Sequence, residues 1–174
     1  GLESSSIWQY SVDGGSTWAA GSGSSFVLTG DGAKSVIVKQ TDVAGNTSVS
    51  STALNFILDT TVFAPTIALS SDSGTSSSDK ITNNGTVNVS GLESGSTWQY
   101  STNGGSTWTA GTGSSFTLTG DGAKSVIVKQ TDVAGNVSNS TTLSFTLDMQ
   151  GSAAPTVDLV NDTGINNQED RKST

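Results

Sequence analysis

The chain has 174 residues, a formal net charge of −8 at pH 7, and neither Cys nor His. These absences exclude a thiol nucleophile, a Ser-His-Asp triad, a Cys/His zinc site and any disulfide. The negative charge disfavours nucleic acid and anionic lipid as partners, and no apolar stretch approaches the ~20 residues that would insert across a bilayer.

The predicted elements follow an internal repeat, because residues 29–46 recur unchanged as residues 119–136. A repeat of this length fits a small domain in tandem rather than a solenoid turn. It divides the chain into a partial unit, a linker, a complete unit, a second linker, and the start of a third repeat or a C-terminal tail. These are residues 1–59, 60–64, 65–148, 149–154 and 155–174. We call residues 1–59 copy one and residues 65–148 copy two.

Copy one lacks the counterpart of residues 65–90, and two interpretations of this remain open. In the first, the chain is a fragment of a longer array of repeats. In the second, residues 155–174 complete copy one of another chain by strand exchange. These residues match only the opening strand of the missing segment, so the second interpretation leaves a gap.

Short runs in which apolar and polar residues alternate predict the strands of copy two. In chain order they centre on Ile67, Val87, Trp98, Trp108, Phe116, Val126 and Phe145. Turns rich in Gly, Asp and Asn separate these runs, and no run has a helical period. Seven short strands with one apolar face predict an all-β chain of tandem immunoglobulin-like antiparallel β-sandwiches.

Antiparallel strands alternate in direction, so the turns of copy two fall at two ends. The upper end faces copy one and is expected to hold Glu93 and Asp132. The lower end is expected to collect five turn residues: Asp72, Asp79, Asn103, Asp121 and Asp148.

Aspartate is the residue type most suited to chemistry here, since the chain has 12 Asp and only 3 Glu, and nearly every Asp lies in a turn. Carboxylates beside hydroxyls and carbonyls suit Ca²⁺, which takes roughly six to eight oxygen ligands. Residues 72–79 can wrap an ion, and Asp59 can meet Asp132 across the junction, where a cation would remove their mutual repulsion. The alternative is ordinary turn chemistry, which we expect at Asp31 and Asp121.

Other side chains give weaker signals. The four Trp residues can stack on sugars, but in so small a sandwich we expect them in the core. Lys residues beside the long repeated strand are expected on a solvated face; they are Lys34, Lys39, Lys124 and Lys129. Paired carboxylates can serve a glycosidase, but nothing in the sequence indicates a cleft, so we expect no enzyme activity.

Taken together, these blocks closely resemble the bacterial Ig-like repeats of giant RTX- and Bap-type surface adhesins, which are exported by type I secretion. The resembling blocks are residues 59–65, 72–82, 98–108 and 131–136. The resemblance implies non-enzymatic spacers at the cell surface, stacked end to end and rigidified by Ca²⁺ at or near their junctions. The metal positions that it implies are Asp59, Asp72, Asp79 and Asp132, with the repeat equivalents Asp42, Asp148 and Asp162.

Two segments depart from this pattern. Residues 148–151 replace the Asp-Thr-Thr linker motif, and residues 166–173 break the Ser-x-x-Asp-x-Ile-Thr stretch. The second junction is therefore expected to be atypical, or the array to end there.

Three functions remain in competition. The first is an extracellular extender of an adhesin or biofilm matrix, whose partners are neighbouring repeats. The second is a module that binds a glycan or a host receptor through exposed Trp residues or loops. The third is a filament or surface-layer subunit that exchanges strands between chains. Near identity between the copies favours the first, because a binding site would be needed only once.

Overall fold

The computed structural model describes residues 1–158, and every regular element in that range is a β-strand. Copy one contains β1 (Ile7–Ser11), β2 (Ala19–Ala20), β3 (Gly32–Thr41) and β4 (Leu54–Leu58). These strands form one sheet in the order β2-β1-β3-β4, and all its pairings are antiparallel. No helix that could span a membrane occurs in this part of the chain.

Copy two contains the remaining strands, arranged in two sheets. They are β5 (Thr66–Leu69), β6 (Ile81–Thr82), β7 (Thr86–Ser90), β8 (Thr97–Ser101), β9 (Thr109–Ala110), β10 (Ser115–Thr117), β11 (Gly122–Thr131) and β12 (Thr141–Leu147). One sheet has the order β10-β7-β5 and the other has the order β6-β12-β11-β8-β9. The second sheet repeats the arrangement of copy one, since β8, β9, β11 and β12 correspond to β1 to β4.

The core of copy two lies between its two sheets, as the two-residue alternation predicts. Its buried members are Ile67, Val87, Val89, Trp98, Val126, Val128, Phe145 and Leu147. Most polar residues of the same strands point outward, and the buried exceptions include Ser101 of β8 and Gln130 of β11. The predicted all-β fold of immunoglobulin-like sandwich type is confirmed.

One pairing in copy two differs from the antiparallel prediction. The short strand β6, which the sequence did not indicate, pairs in parallel with the end of β12, with Ile81 opposite Thr146. β5 and β12 start at the same end, where the Thr141 hydroxyl donates a hydrogen bond to the Pro65 carbonyl. β5 and β6 therefore run in the same direction, although the chain passes from one sheet to the other between them. Side-chain alternation is the same in parallel and antiparallel strands, so it does not reveal this crossing.

Candidate functional site at the domain junction

The linker between the copies is held at its start by a carboxylate of copy one. Asp31 Oδ1 accepts hydrogen bonds from the backbone N–H of Thr60 at 2.9 Å and from its hydroxyl at 2.6 Å. The Thr61 hydroxyl donates to Asp31 Oδ2 at 2.9 Å. The bonds from Thr60 and then Thr61 hold the pKa of Asp31 below its ordinary value. Asp31 is therefore more than the turn residue that the sequence predicted, and the signal for this was the Thr-Thr pair that the second linker lacks.

The end of the same linker is held by copy two. The Phe63 N–H donates to Glu93 Oε1 at 3.0 Å, and the Phe63 carbonyl accepts from Gln130 Nε2 at 2.7 Å. Gln130 is fully buried, donates also to the Gly91 carbonyl at 3.1 Å, and accepts from the Glu93 N–H at 2.9 Å. One glutamine side chain thus joins the linker to the loop that follows β7. Sequence reasoning missed it, because Gln40 and Gln130 occupy identical sequence surroundings.

At the junction, the Asn136 side chain links the Asp132 carboxylate to the backbone carbonyl of Asp59, not to its carboxylate. Asn136 Nδ2 donates to Asp132 Oδ2 at 2.8 Å and to the Asp59 backbone carbonyl at 3.0 Å. The Asn136 N–H donates to Asp132 Oδ1 at 2.8 Å, and the Thr61 N–H donates to Asp59 Oδ1 at 3.3 Å. Desolvation raises the pKa of Asp132, but the hydrogen bonds from Asn136, Gly135 and Ala134 together outweigh it and keep this pKa below its ordinary value.

The remaining positions of the predicted metal set are spread over the chain. Asp42 repeats the geometry of Asp132, with its two oxygens accepting from the backbone and side chain of Asn46 at 2.7 and 2.8 Å. Asp162 lies outside the described residues. Within residues 1–158, no three acidic side chains lie close enough together to hold a metal ion.

The other three predicted ligand residues, Asp72, Asp79 and Asp148, lie at the lower end of copy two, but not as a cluster that could hold a metal ion. Asp79 and Asp148 line one open cavity of about 270 Å³, which also has Ser73, Thr75 and Asn83 in its wall. Asp72 Oδ2 accepts from the Lys80 N–H at 2.9 Å and so closes the loop between them. Asp72 Oδ1 is buried and has no hydrogen-bond partner. The predicted neighbour Asp121 is used by the second linker, since it accepts from the Met149 N–H at 2.8 Å.

The tryptophans divide into two kinds. Trp98 is a core residue, whereas Trp108 is half-buried outside the core, with Lys129 Nζ 4.0 Å from the centre of its ring. Copy one repeats this arrangement with Lys39 over Trp18, also at 4.0 Å. A cation over an aromatic face is attractive, so these lysines cover Trp rings and are not simply solvated. The covered faces are not open stacking platforms for a sugar.

We expect Asp31→Ala to loosen the junction, because it removes the acceptor for Thr60 and Thr61. Since the chain has no Cys, spin labels can be placed at Ser35→Cys and Ser125→Cys, and the distance distribution between them should broaden by roughly half or more. Asp121→Ala is the matched control and should leave this distribution unchanged. Equal broadening in both variants, or in neither, would contradict the assigned role of Asp31.

The same labels also test the pH dependence of this contact. The folded-state pKa of Asp31 lies below its ordinary value of 3.8. Its contribution is therefore complete above pH 3.8 and is lost as the pH falls through the lowered folded-state pKa. The distribution should broaden only in that acidic range, and Asp31→Ala should remove the transition.

Comparisons with known proteins bear on the family to which this chain belongs. No curated protein matches the chain. Solved structures that are similar to it include the fibronectin(III)-like modules of Clostridium thermocellum CbhA, with 12% identity and a TM-score of 0.45, over 90% of this chain and 88% of that chain. The family model described as a bacterial Ig-like domain matches residues 61–149, which is just over half of the 174 residues. The chain therefore belongs to the bacterial Ig-like domain family.

Proposed function

We propose that this chain is a run of structural repeats that spaces the parts of a bacterial extracellular surface protein, without catalytic activity. The observation that carries the proposal is the linker, which is hydrogen-bonded at its start to Asp31 of copy one and at its end to Gln130 of copy two. An unattached linker behaves as a flexible chain. A linker fixed at both ends limits the angles between its domains, as a spacer requires.

The finer proposal is an extender of an RTX- or Bap-type adhesin, with neighbouring repeats as its partners. Membership in the bacterial Ig-like family and the repetition of the unit support it. Each copy has one such glutamine, one lysine-covered tryptophan and one Asp-Asn turn, which is expected for a repeated mechanical unit. A recognition site would not need to be duplicated.

We also propose that the lower end of copy two binds Ca²⁺. An unpartnered buried carboxylate oxygen is costly, and Asp72 Oδ1 is such an atom. Asp79 and Asp148 line the open cavity at the same end of copy two, where Ser73, Thr75 and Asn83 offer neutral oxygens. This all-oxygen set suits the preference of Ca²⁺. The loop of residues 73–79 would contract to bring the Asp79 carboxylate to that of Asp72.

The two ends differ in how many oxygens of each carboxylate accept hydrogen bonds. At the lower end Asp72, Asp79 and Asp148 each accept one backbone N–H, from Lys80, Ile81 and Gln150. At the upper end Asp132 is bonded to Asn136 through both oxygens, and the repeat equivalent Asp42 is bonded to Asn46 in the same way. Ion binding there would first break these bonds. We therefore assign Ca²⁺ to the lower end, where it would stiffen the exit of copy two toward the next unit.

Thermal unfolding with and without Ca²⁺ tests this assignment. At tenfold excess over its dissociation constant, Ca²⁺ should stabilise copy two by about 1.4 kcal/mol, which raises its melting temperature by about 5–10 °C. Asp72→Asn should remove most of this increase. An unchanged melting temperature of the unsubstituted chain at millimolar Ca²⁺, relative to EDTA, would reject the site.

Asp13→Asn is the matched control, because it removes the same charge away from the site. Copy two has Asn103 at the equivalent position, and both residues accept the N–H of the residue four positions later, Thr17 or Thr107, at 2.9 Å. This variant should keep the full response to Ca²⁺. A loss equal to that of Asp72→Asn would indicate a general effect of charge rather than a site.

A further inference from the structure

The turn between β8 and β9 contains an asparagine followed by a glycine, a pair that can react with itself. The chain has two such pairs, Asn84-Gly85 and Asn103-Gly104. In this pair the backbone nitrogen of the glycine can attack the side-chain amide of the asparagine, because glycine has no Cβ to block the approach. The two pairs have different surroundings, so the structure distinguishes the one that can react.

At the second pair the attacking nitrogen is accessible. Asn103 and Gly104 are both exposed. The N–H groups on either side, those of Asn103 and Gly105, donate to the Ser101 hydroxyl at 3.3 and 2.9 Å. Within residues 1–158, by contrast, no group accepts the Gly104 N–H. This nitrogen is therefore not held by another bond that the attack would have to break.

The side-chain amide of Asn103 is held by donors at the atom where negative charge develops. Its Oδ1 accepts from the Ser101 hydroxyl at 2.8 Å and from the Thr107 N–H at 2.9 Å. Donors aimed at a developing oxyanion lower the barrier to attack on the carbon that carries it. Asn103 Nδ2, the leaving nitrogen, donates to the Thr107 hydroxyl at 2.8 Å. A group that can pass a proton thus lies beside the leaving group.

We propose that Asn103 deamidates spontaneously in the folded chain and becomes an aspartate. The Gly104 nitrogen loses its proton to solvent and bonds to Cγ, and the Cγ–Nδ2 bond breaks as Nδ2 takes up a proton and leaves as ammonia. Water then adds to Cγ of the cyclic imide, the bond from Cγ to the Gly104 nitrogen breaks, and this nitrogen regains its proton. Water is consumed, ammonia is released, and a carboxylate replaces the amide.

Copy one shows the turn that this reaction produces, because Asp13 occupies the position equivalent to Asn103. Asp13 Oδ1 accepts from the Ser11 hydroxyl at 2.7 Å and from the Thr17 N–H at 2.9 Å, and Oδ2 accepts from the Thr17 hydroxyl at 2.6 Å. The side-chain bond from Thr17 is the main cause that lowers the pKa of Asp13 to about 2. An aspartate in this turn therefore stays ionised at neutral pH, and an ionised carboxylate does not close the ring again.

The hydrogen bonds of the turn also determine the product. Water can open the ring at Cγ, which gives aspartate, or at the backbone carbonyl carbon, which gives isoaspartate and lengthens the main chain. Oδ1 has the closer donors, whereas the Asn103 backbone carbonyl accepts from the Ser106 hydroxyl at 3.1 Å. The pairing of Tyr100 with Thr109 fixes the length of the turn. Both features favour aspartate.

The pair Asn84-Gly85 is held against the same reaction. Gly85 is buried, and its carbonyl accepts from the Leu118 N–H at 2.9 Å. A Cβ at Gly85 would lie 2.0 Å from the Leu118 carbonyl oxygen, a backbone atom. Ring closure would have to rotate the peptide between Asn84 and Gly85 against this neighbouring backbone. This pair is therefore an internal control within the same chain.

The modification goes beyond the spacer function, because it makes the chain more acidic with age while keeping the bonds of the turn. The test follows the full chain in mildly alkaline buffer by peptide-resolved mass spectrometry. In the folded chain Asn103 should react at least about tenfold faster than Asn84, and in urea the two rates should lie within about threefold of each other. Equal rates in the folded chain, an Asn103 that reacts only in urea, or a mainly isoaspartyl product would overturn the proposal.

Two variants test the roles of the two residues in the pair. Gly104→Ala is strained at φ 68° but meets no atom within 4 Å, and its Cβ beside the attacking nitrogen should slow the reaction at least about tenfold. Asp13→Asn gives copy one the same pair, since Gly14 follows. Deamidation should return position 13 to the native aspartate at a rate within about threefold of that at Asn103. No reaction at position 13, or an unchanged rate in Gly104→Ala, would overturn the proposal.

Discussion

Gln130→Leu is expected to destabilise copy two by about 3 kcal/mol and to detach the end of the linker. The side chain bonds to the carbonyls of Phe63 and Gly91 and to the N–H of Glu93. Leu is of similar size but leaves these three backbone groups without their partner. Each loss costs on the order of 1 kcal/mol, because the groups are only partly buried and water can reach them in part.

Gln40→Leu is the matched control, since the flanking sequence is identical in copy one. Gln40 Oε1 accepts from the Glu3 N–H at 2.9 Å and from the Ser6 hydroxyl at 3.2 Å, at an exposed or half-exposed place. Its replacement should cost less than about 1 kcal/mol. Urea unfolding followed by NMR resolves the two copies, and equal losses in both would contradict the special role of Gln130.

Detachment of the linker in this variant can be measured separately from the loss of stability. In Gln130→Leu, the spin labels at positions 35 and 125 should show a broader distance distribution, as in Asp31→Ala. A narrow distribution together with a lower stability would mean that Gln130 supports the domain but does not hold the linker.

Gly111→Ala is expected to destabilise copy two by at least about 3 kcal/mol. A Cβ at Gly111 would lie 2.2 Å from an atom of the Trp98 ring. This ring is in the core and packs against Tyr100 and Phe116, so moving it disturbs the whole aromatic group. For a domain of this size the melting temperature should fall by at least about 10 °C.

Gly151→Ala is the control for this substitution, because nothing lies within 4 Å of the position where its Cβ would stand. Its melting temperature should stay within about 2 °C of the unsubstituted chain. If Gly111→Ala also stayed within that range, the close packing of Trp98 on the backbone would be refuted. Trp fluorescence reports the same event, since a displaced Trp98 ring becomes accessible to quenchers.

The sequence predicted the strands of copy two and the sandwich formed from them. Alternation with period two identifies which side chains enter a core, as at Val87 and Val89, and it depends only on neighbours along the chain. The repeat likewise predicted which residues are equivalent, so the Lys39–Trp18 and Lys129–Trp108 pairs recur together. These features depend on residues that are close together along the chain, so the order of residues is enough to predict them.

Other features depend on partners distant in sequence. The parallel pairing of β6 with β12 and the bond from Gln130 to Phe63 join residues more than 60 positions apart. Asp31 was predicted as a turn residue, and its turn is indeed local, but its contact with Thr60 depends on where β4 ends. The alternation pattern carries no information on the pairing of β6 with β12, on the bond from Gln130 to Phe63, or on the contact between Asp31 and Thr60.

Val38 and Val128 show this limit most directly. The local order of residues is enough to place both in a long strand, on its apolar side, because their flanking sequences are identical. Their different burial was set by packing in three dimensions, because β5 and β7 lie over one and not over the other. Burial is a property of all the surfaces that meet at a residue, and only the folded arrangement brings those surfaces together.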